Sequence, residues 1–303
     1  MAAEPAPAIA GDLLTLAEIQ TLRQVTGRRG AMLVLHAWVA IAGTMAVYAL
    51  WPNALTLILA VALIGGRQLG LMVLVHEAVH WRLFERARVN DRVARWFCAY
   101  PVWGELPAYR RRHHLHHRHT LEAEDPDLAV ATAFPMARGT FWRNVARDLC
   151  GLTACAAVIC WPAWQEGVIV LWRTLRGPVV GNALLFGVLA ALGHWELYLL
   201  LWLLPLATWY QLAGRIRDAA EHARVADGRD PLRNTRTVTA SALERVFLAP
   251  YWVSYHLEHH LFVFVPCWRL RHVHALLLAK GYGARMEVAA GYGEVLRRVT
   301  ATR

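Results

Sequence analysis

Two long stretches of this 303-residue chain contain no lysine or arginine, one between Arg29 and Arg67 and the other between Arg176 and Arg215. Each is long enough to cross the hydrocarbon of a bilayer as a helix and return. The composition agrees: 57% of the residues are hydrophobic and the mean hydropathy is +0.30, too apolar for an ordinary soluble protein of this length.

Four spans satisfy the pattern. The first is expected near 31–50 and the second near 54–75, separated by the uncharged turn Trp51-Pro52-Asn53. The third and fourth are expected near 178–193 and 196–213, turning at His194-Trp195-Glu196. Neither turn carries Lys or Arg, whereas Arg28, Arg29, Arg82, Arg86, Arg88, Arg215 and Arg217 flank the apolar runs. By the positive-inside rule both turns face away from the cytoplasm, and both termini lie inside it. The expected fold is therefore a single all-α integral membrane domain. Its parts are an N-terminal amphipathic segment (1–30), a first hairpin (31–75), a cytoplasmic segment (76–177), a second hairpin (178–213) and a cytoplasmic segment (214–303). The apolar run 149–164 ends in Trp161-Pro162 and is short for a span. If it crossed, the histidines after residue 214 would face the opposite compartment from those near 113, so it is read as interfacial. Thr15-Leu-Ala-Glu18 has the form of a capping box opening a helix on the membrane surface.

The net charge is +10, but its arginines sit at span ends, which argues for a membrane border and against nucleic acid. Lys280 is the one lysine, the mark of a GC-rich genome, hence a bacterium and its inner membrane. Cys98, Cys150, Cys155, Cys160 and Cys267 form no CxxC and no even framework. The N-terminus lacks the basic start and apolar core of a signal peptide.

Fifteen histidines are about 5% of the chain, yet three five-residue windows hold nine of them: His76–His80, His113–His117 and His256–His260. His76 and His80 are i,i+4, on one helical face. His113, His116 and His117, like His256, His259 and His260, are i, i+3, i+4 and converge on one stripe. Asp218 and His222, also i,i+4, lie just beyond the last span. The expected topology brings all of these to one side of the membrane. Eight box histidines plus His222 give nine candidate imidazoles, too many for one tetrahedral zinc and enough for two ions with room for water or oxygen. Imidazole suits Zn, Cu, Fe and Ni alike, so the spacing leaves the metal open.

His114 falls about 100° off the stripe and is read, with His119, as lying outside the ligand set. His36, His194, His272 and His274 are isolated and read as structural. Glu77, Glu221 and Glu258 adjoin candidate ligands, where a carboxylate orients an imidazole N–H or is simply solvated. Arg67, nine residues before His76, faces away from the metals and is expected to contact another helix or snorkel. His76-Glu77-Ala-Val-His80 is also an HExxH zinc-hydrolase motif, with Asp227 as a conceivable distal ligand. That reading leaves the other two boxes unexplained.

In order and spacing the boxes resemble the membrane fatty acid desaturase and hydroxylase superfamily over roughly residues 30–290. Leu121-Glu-Ala-Glu-Asp-Pro-Asp127, Asn234-Thr-Arg-Thr237 and the Tyr255–Phe262 sequence YHLEHHLF are further points of likeness. Val263 and Arg269-Leu-Arg271 depart from the usual proline-containing pattern near the third box. The resemblance implies a non-haem di-iron centre that uses O2, fed by an external ferredoxin-, rubredoxin- or cytochrome-type donor. By position it implies His76, His80, His113, His116, His117, His222, His256, His259 and His260 as ligands, with Asp218 linked to one iron through water. The expected reaction is desaturation of a fatty acyl chain of a lipid-like substrate. Hydroxylation or ketolation of a carotenoid or hydrocarbon is second, and an HExxH protease a remote third.

Overall fold

The computed structural model describes residues 13–159 and 167–301. The backbone is helical almost throughout, and in hydrocarbon this is the form in which one segment satisfies all its own N–H and C=O groups. Four helices are long and apolar enough to cross a membrane: α2 (Gly27–Leu50), α3 (Ala54–Val79), α5 (Val168–Ala191) and α6 (Glu196–His222). A short helix α1 (Leu16–Leu22) precedes them. Helix α4 (Leu106–Arg118) carries the second box, α7 (His256–Leu261) the third, and α8 (Cys267–Ala279) and α9 (Tyr292–Val299) follow. The all-α expectation needs one small amendment. Two-residue strands pair in parallel, Met136–Ala137 with Thr300–Ala301 and Thr237–Val238 with Val288–Ala289, and tie the C-terminal segment back to the chain.

The helices run further than hydropathy alone suggests. α3 continues to Val79 and α6 to His222, so His76 and His222 sit on the spans' own extensions. α5 starts at Val168, taking Arg173 and Arg176 into its first turns. Hydropathy measures residence in hydrocarbon, while the i to i+4 bonds continue past it. The capping box at α1 is formed: Thr15 and Glu18 exchange side-chain and backbone bonds. Of the apolar run 149–164, Leu152–Ile159 forms one eight-residue helix, and residues 160–164 lie outside the described residues, as do residues 1–12.

α3 is the hub, buried along most of its length. Asn53 caps its start through the N–H groups of Leu55 and Thr56, and α2 packs along it. Gly66 is there because a Cβ would come within 2.8 Å of the Val246 carbonyl oxygen. Next to it, buried Arg67 donates to the Arg245 and Val246 carbonyls, the last of the helix Ala242–Phe247, and stacks over Tyr251. This is the interhelical contact expected of an intramembrane arginine facing away from the histidines. α6 is interrupted by a π turn at Leu199–Leu203, ahead of Pro205, and by a non-helical Thr208. α5 meets α6 near their turn; along its length its neighbour is Tyr100–Val102, and Asn182 donates to the Tyr100 carbonyl.

Candidate metal centre

Each box is held by local structure that aims it. The first box is the last turn of α3. The second rides on α4, whose first turn contains Pro107 and is capped by Glu105 accepting from the Ala108 N–H. The third is α7 itself, six residues of which three are histidines. These elements and the end of α6 bring nine imidazoles into two groups: His76, His80, His113, His117 and His259 in one, and His116, His222, His256 and His260 in the other. The i,i+4 pairs His76–His80 and His113–His117 each stay within one group, but the second box is divided between groups, because His116 points away from His113 and His117 towards α6.

The nitrogens face one another rather than hydrogen-bonding partners. His117 Nε2 lies 2.9 Å from His113 Nε2 and 3.0 Å from His259 Nε2. His222 Nε2 lies 3.1 Å from His116 Nε2 and 2.9 Å from His256 Nε2. One imidazole nitrogen is either a donor or an acceptor, so it does not serve two such contacts well. The Nε2 atoms of His76, His80 and His260 are buried with no partner among the described residues. Lone pairs aimed at a common cation explain both facts. Two nitrogens bound to one ion at about 2.1 Å lie about 3.0 Å apart when their angle is near 90°, and about 3.4 Å apart at the tetrahedral angle. The observed spacings fit the former. The residues therefore suit two ions, one in each group.

The outer nitrogens are oriented in turn. His116 Nδ1 and Asp125 are 2.9 Å apart, and Asp125 also accepts from the Leu121 and Asp127 N–H groups. Burial opposes the Asp125 charge, but these bonds outweigh it and hold the carboxyl below its usual range. His256 Nδ1 lies 3.5 Å from Glu221, whose carboxylate Arg217 grips with two bonds. Burial, then the neighbouring imidazoles and arginines, push His80 down to about 3 and His117 to about 2, with His113, His256, His259 and His260 also well below the usual histidine range. Neutral imidazole is the form that binds metal.

Other candidates fall elsewhere. Asp218 is in neither group, although it lines a small cavity of about 200 Å³ with His113, His116, His222 and His256. His114 stays off the stripe, against His80 and Trp81, and His119 pairs with Glu122. Glu258 does not orient a box histidine: its carboxylate bonds His274 Nδ1 and the Thr237 hydroxyl, so His274 is structural but not isolated. Glu77 accepts from the Cys267 N–H at 2.7 Å, behind His76 and 3.7 Å from its Nδ1. A hydrolase base would face an open metal position, and Asp227 joins no histidine group.

The cavities were not legible in the sequence. The small one beside the histidines shares Tyr109, Val130, Arg217 and Asp218 with a second of about 520 Å³. That one shares Tyr210 and Gln211 with a third of about 590 Å³, walled by apolar residues such as Val102, Ala154, Leu175, Leu203 and Leu206. His117 and His260 also line a polar cavity of about 1060 Å³ with Arg118 and Asn234. Spacing rules report neighbours on one helix, and these walls combine residues from several segments.

Four candidate spans around a nine-imidazole centre define a multi-pass protein of the histidine-box class. Residues 48–290 match the fatty acid desaturase family, and the chain belongs to that family. It is similar to the dihydrorhizobitoxine desaturase of Bradyrhizobium elkanii, 30% identical over 262 residues that cover 78% of this chain and 71% of the relative. Both matches make it a desaturase-type oxidoreductase.

Proposed function

We propose that the protein desaturates a fatty acyl chain, using two irons, O2 and electrons from an external ferredoxin-, rubredoxin- or cytochrome-type carrier. It would sit in a bacterial inner membrane with both termini and the histidine face in the cytoplasm. The nine histidines would hold the irons, and Asp218 would reach one of them through water. Bound iron would supply the oxidising power to take hydrogen from an unactivated C–H.

The observation that carries the substrate class is the run of cavities from the apolar chamber to the histidines. At 1.5 Å per residue, Leu203 and Gln211 lie roughly 28 and 17 Å along α6 from His222. An extended tail seated against Leu203 and Leu206 would pass Tyr210 and Gln211 and bring a mid-chain methylene to the small cavity. Tyr109 and the α6 wall would hold that methylene still and keep bulk water out, which desaturation demands because the second hydrogen must come from the adjacent carbon. A relative whose name describes a desaturation supports alkene formation over hydroxylation.

The test is mass spectrometry of lipids from cells making the wild type or Leu206→Trp. The wild type is expected to give chains lacking two hydrogens, and the variant, its chamber filled, to shift product towards shorter chains. Chains that gain oxygen instead would make the protein a hydroxylase, and no change in any acyl chain would overturn the substrate class.

A further inference from the structure

The end of α3 is unusual at Trp81. The Arg82 N–H bonds the Glu77 carbonyl and the Trp81 N–H the Ala78 carbonyl, the two bonds of a Schellman helix stop. Such a stop puts its central residue in the left-handed region, where glycine is the usual occupant; here Trp81 has φ 54°. A bulky aromatic at such a position is costly, and the residue is 39% exposed, so burial does not offset the cost. The side chain is instead steadied from α4, where the Arg110 guanidinium stacks 4.2 Å from the ring.

The indole is also the outer end of a line of rings. Trp81 and His114 centroids are 5.9 Å apart, and His114 and His80 are 5.6 Å apart. His80 belongs to the five-histidine group. Around Trp81 the charge is one-sided. Arg110 is matched by Asp91, and Arg82 donates to the His80 and Phe264 carbonyls with buried Glu77 partly offsetting its charge, but Arg23 and Arg118 are exposed and form no ion pair among the described residues. Arg118 lies within electrostatic reach of His114, Arg82 of His80, and Arg23 of Arg82.

We propose that Trp81 and its arginine border are the docking point of an acidic one-electron carrier protein, and that electrons pass from it through the Trp81–His114 edge to His80. The inference rests on the redox function proposed above. One turnover takes a saturated chain, O2, two electrons and two protons, and releases one alkene and two waters, two of whose four hydrogens come from the chain. The carrier is oxidised twice, one electron at a time, and carboxylates on its surface meet the unpaired arginines. Electron transfer falls steeply with distance, and this exposed ring abuts a residue in contact with a candidate ligand. An indole at a span end also suits a membrane border, but its partners here are Arg110 and His114 of the box-bearing helix.

The experiment uses iron-loaded protein in detergent and an acidic plant-type ferredoxin. Stopped-flow records iron reduction by the ferredoxin and, separately, by dithionite, while a surface-binding assay gives the ferredoxin Kd at two salt concentrations. Trp81→Gly relieves the backbone and is expected to keep its iron, yet to slow ferredoxin-driven reduction at least about tenfold relative to the dithionite rate. Trp81→Phe should recover part of that ratio. Arg23→Glu, at an exposed residue that belongs to neither histidine group, should raise Kd about tenfold and flatten its salt dependence. Equal loss of both rates in Trp81→Gly together with an unchanged Kd in Arg23→Glu would make Trp81 a membrane or packing residue and overturn the proposal. So would a wild type that the ferredoxin does not reduce. Wild-type protein that dithionite cannot reduce would instead overturn the iron reading on which the proposal rests.

Discussion

A single turn of α6 separates Asp218 from His222, and the two meet the site through different chemistry. His222 faces His116 and His256 with its Nε2, whereas Asp218 lines the small cavity and joins no nitrogen group. His222→Ala is therefore expected to lose iron from the four-histidine group and all activity. Asp218→Ala should retain most of its iron and turn over about 10–100-fold more slowly. His114→Ala, off the stripe, should keep its iron. Iron per chain beside product formation checks all three, and full iron in His222→Ala would show that the site closes without it. The same imidazoles govern acid sensitivity before metal is bound. Burial holds His80 at about 3 and His117 at about 2, while their unfolded-state values are near 6.5. The unfolded chain then binds protons that the fold refuses, so the stability of iron-free protein should fall as pH drops through about 6.5 and stay level above it. Denaturant midpoints of iron-free protein between pH 5.5 and 8.5 measure this; a midpoint that does not fall with acid would contradict it.

Among the elements, α3 carries the most structural responsibility. Its last turn supplies two imidazoles, and at its midpoint Gly66 and Arg67 receive the end of the helix Ala242–Phe247. Arg67→Met leaves the Arg245 and Val246 carbonyls without that donor, a loss of about 1–3 kcal/mol. Gly66→Val pushes a Cβ against the Val246 carbonyl and should cost at least as much, because the opposing atom is backbone. Gly43→Ala in α2, where an added Cβ meets nothing within 4 Å, should be neutral or mildly stabilising. Thermal unfolding in detergent ranks the three. The role of Arg67 was half legible: periodicity said which way it points, but only the fold reveals which carbonyls it reaches, 178 and 179 residues away.

At the scale of the whole molecule, what could be read from the sequence is what repeats along one helix. The i,i+4 histidine pairs, the charge-free spans and the Thr15–Glu18 cap are local patterns, and each has its counterpart in the structure. The division of His116 from His113 and His117, the Glu258–His274 pair and the cavities with shared walls arise where distant segments meet, and no window of sequence contains them. That long-range character has a consequence for how the protein is made. The five-histidine group needs His259, and the four-histidine group needs His256 and His260. A ribosome that has threaded all four spans into the bilayer has still not produced a complete binding site for either ion. A metal that needs either full group would thus have to wait for α7.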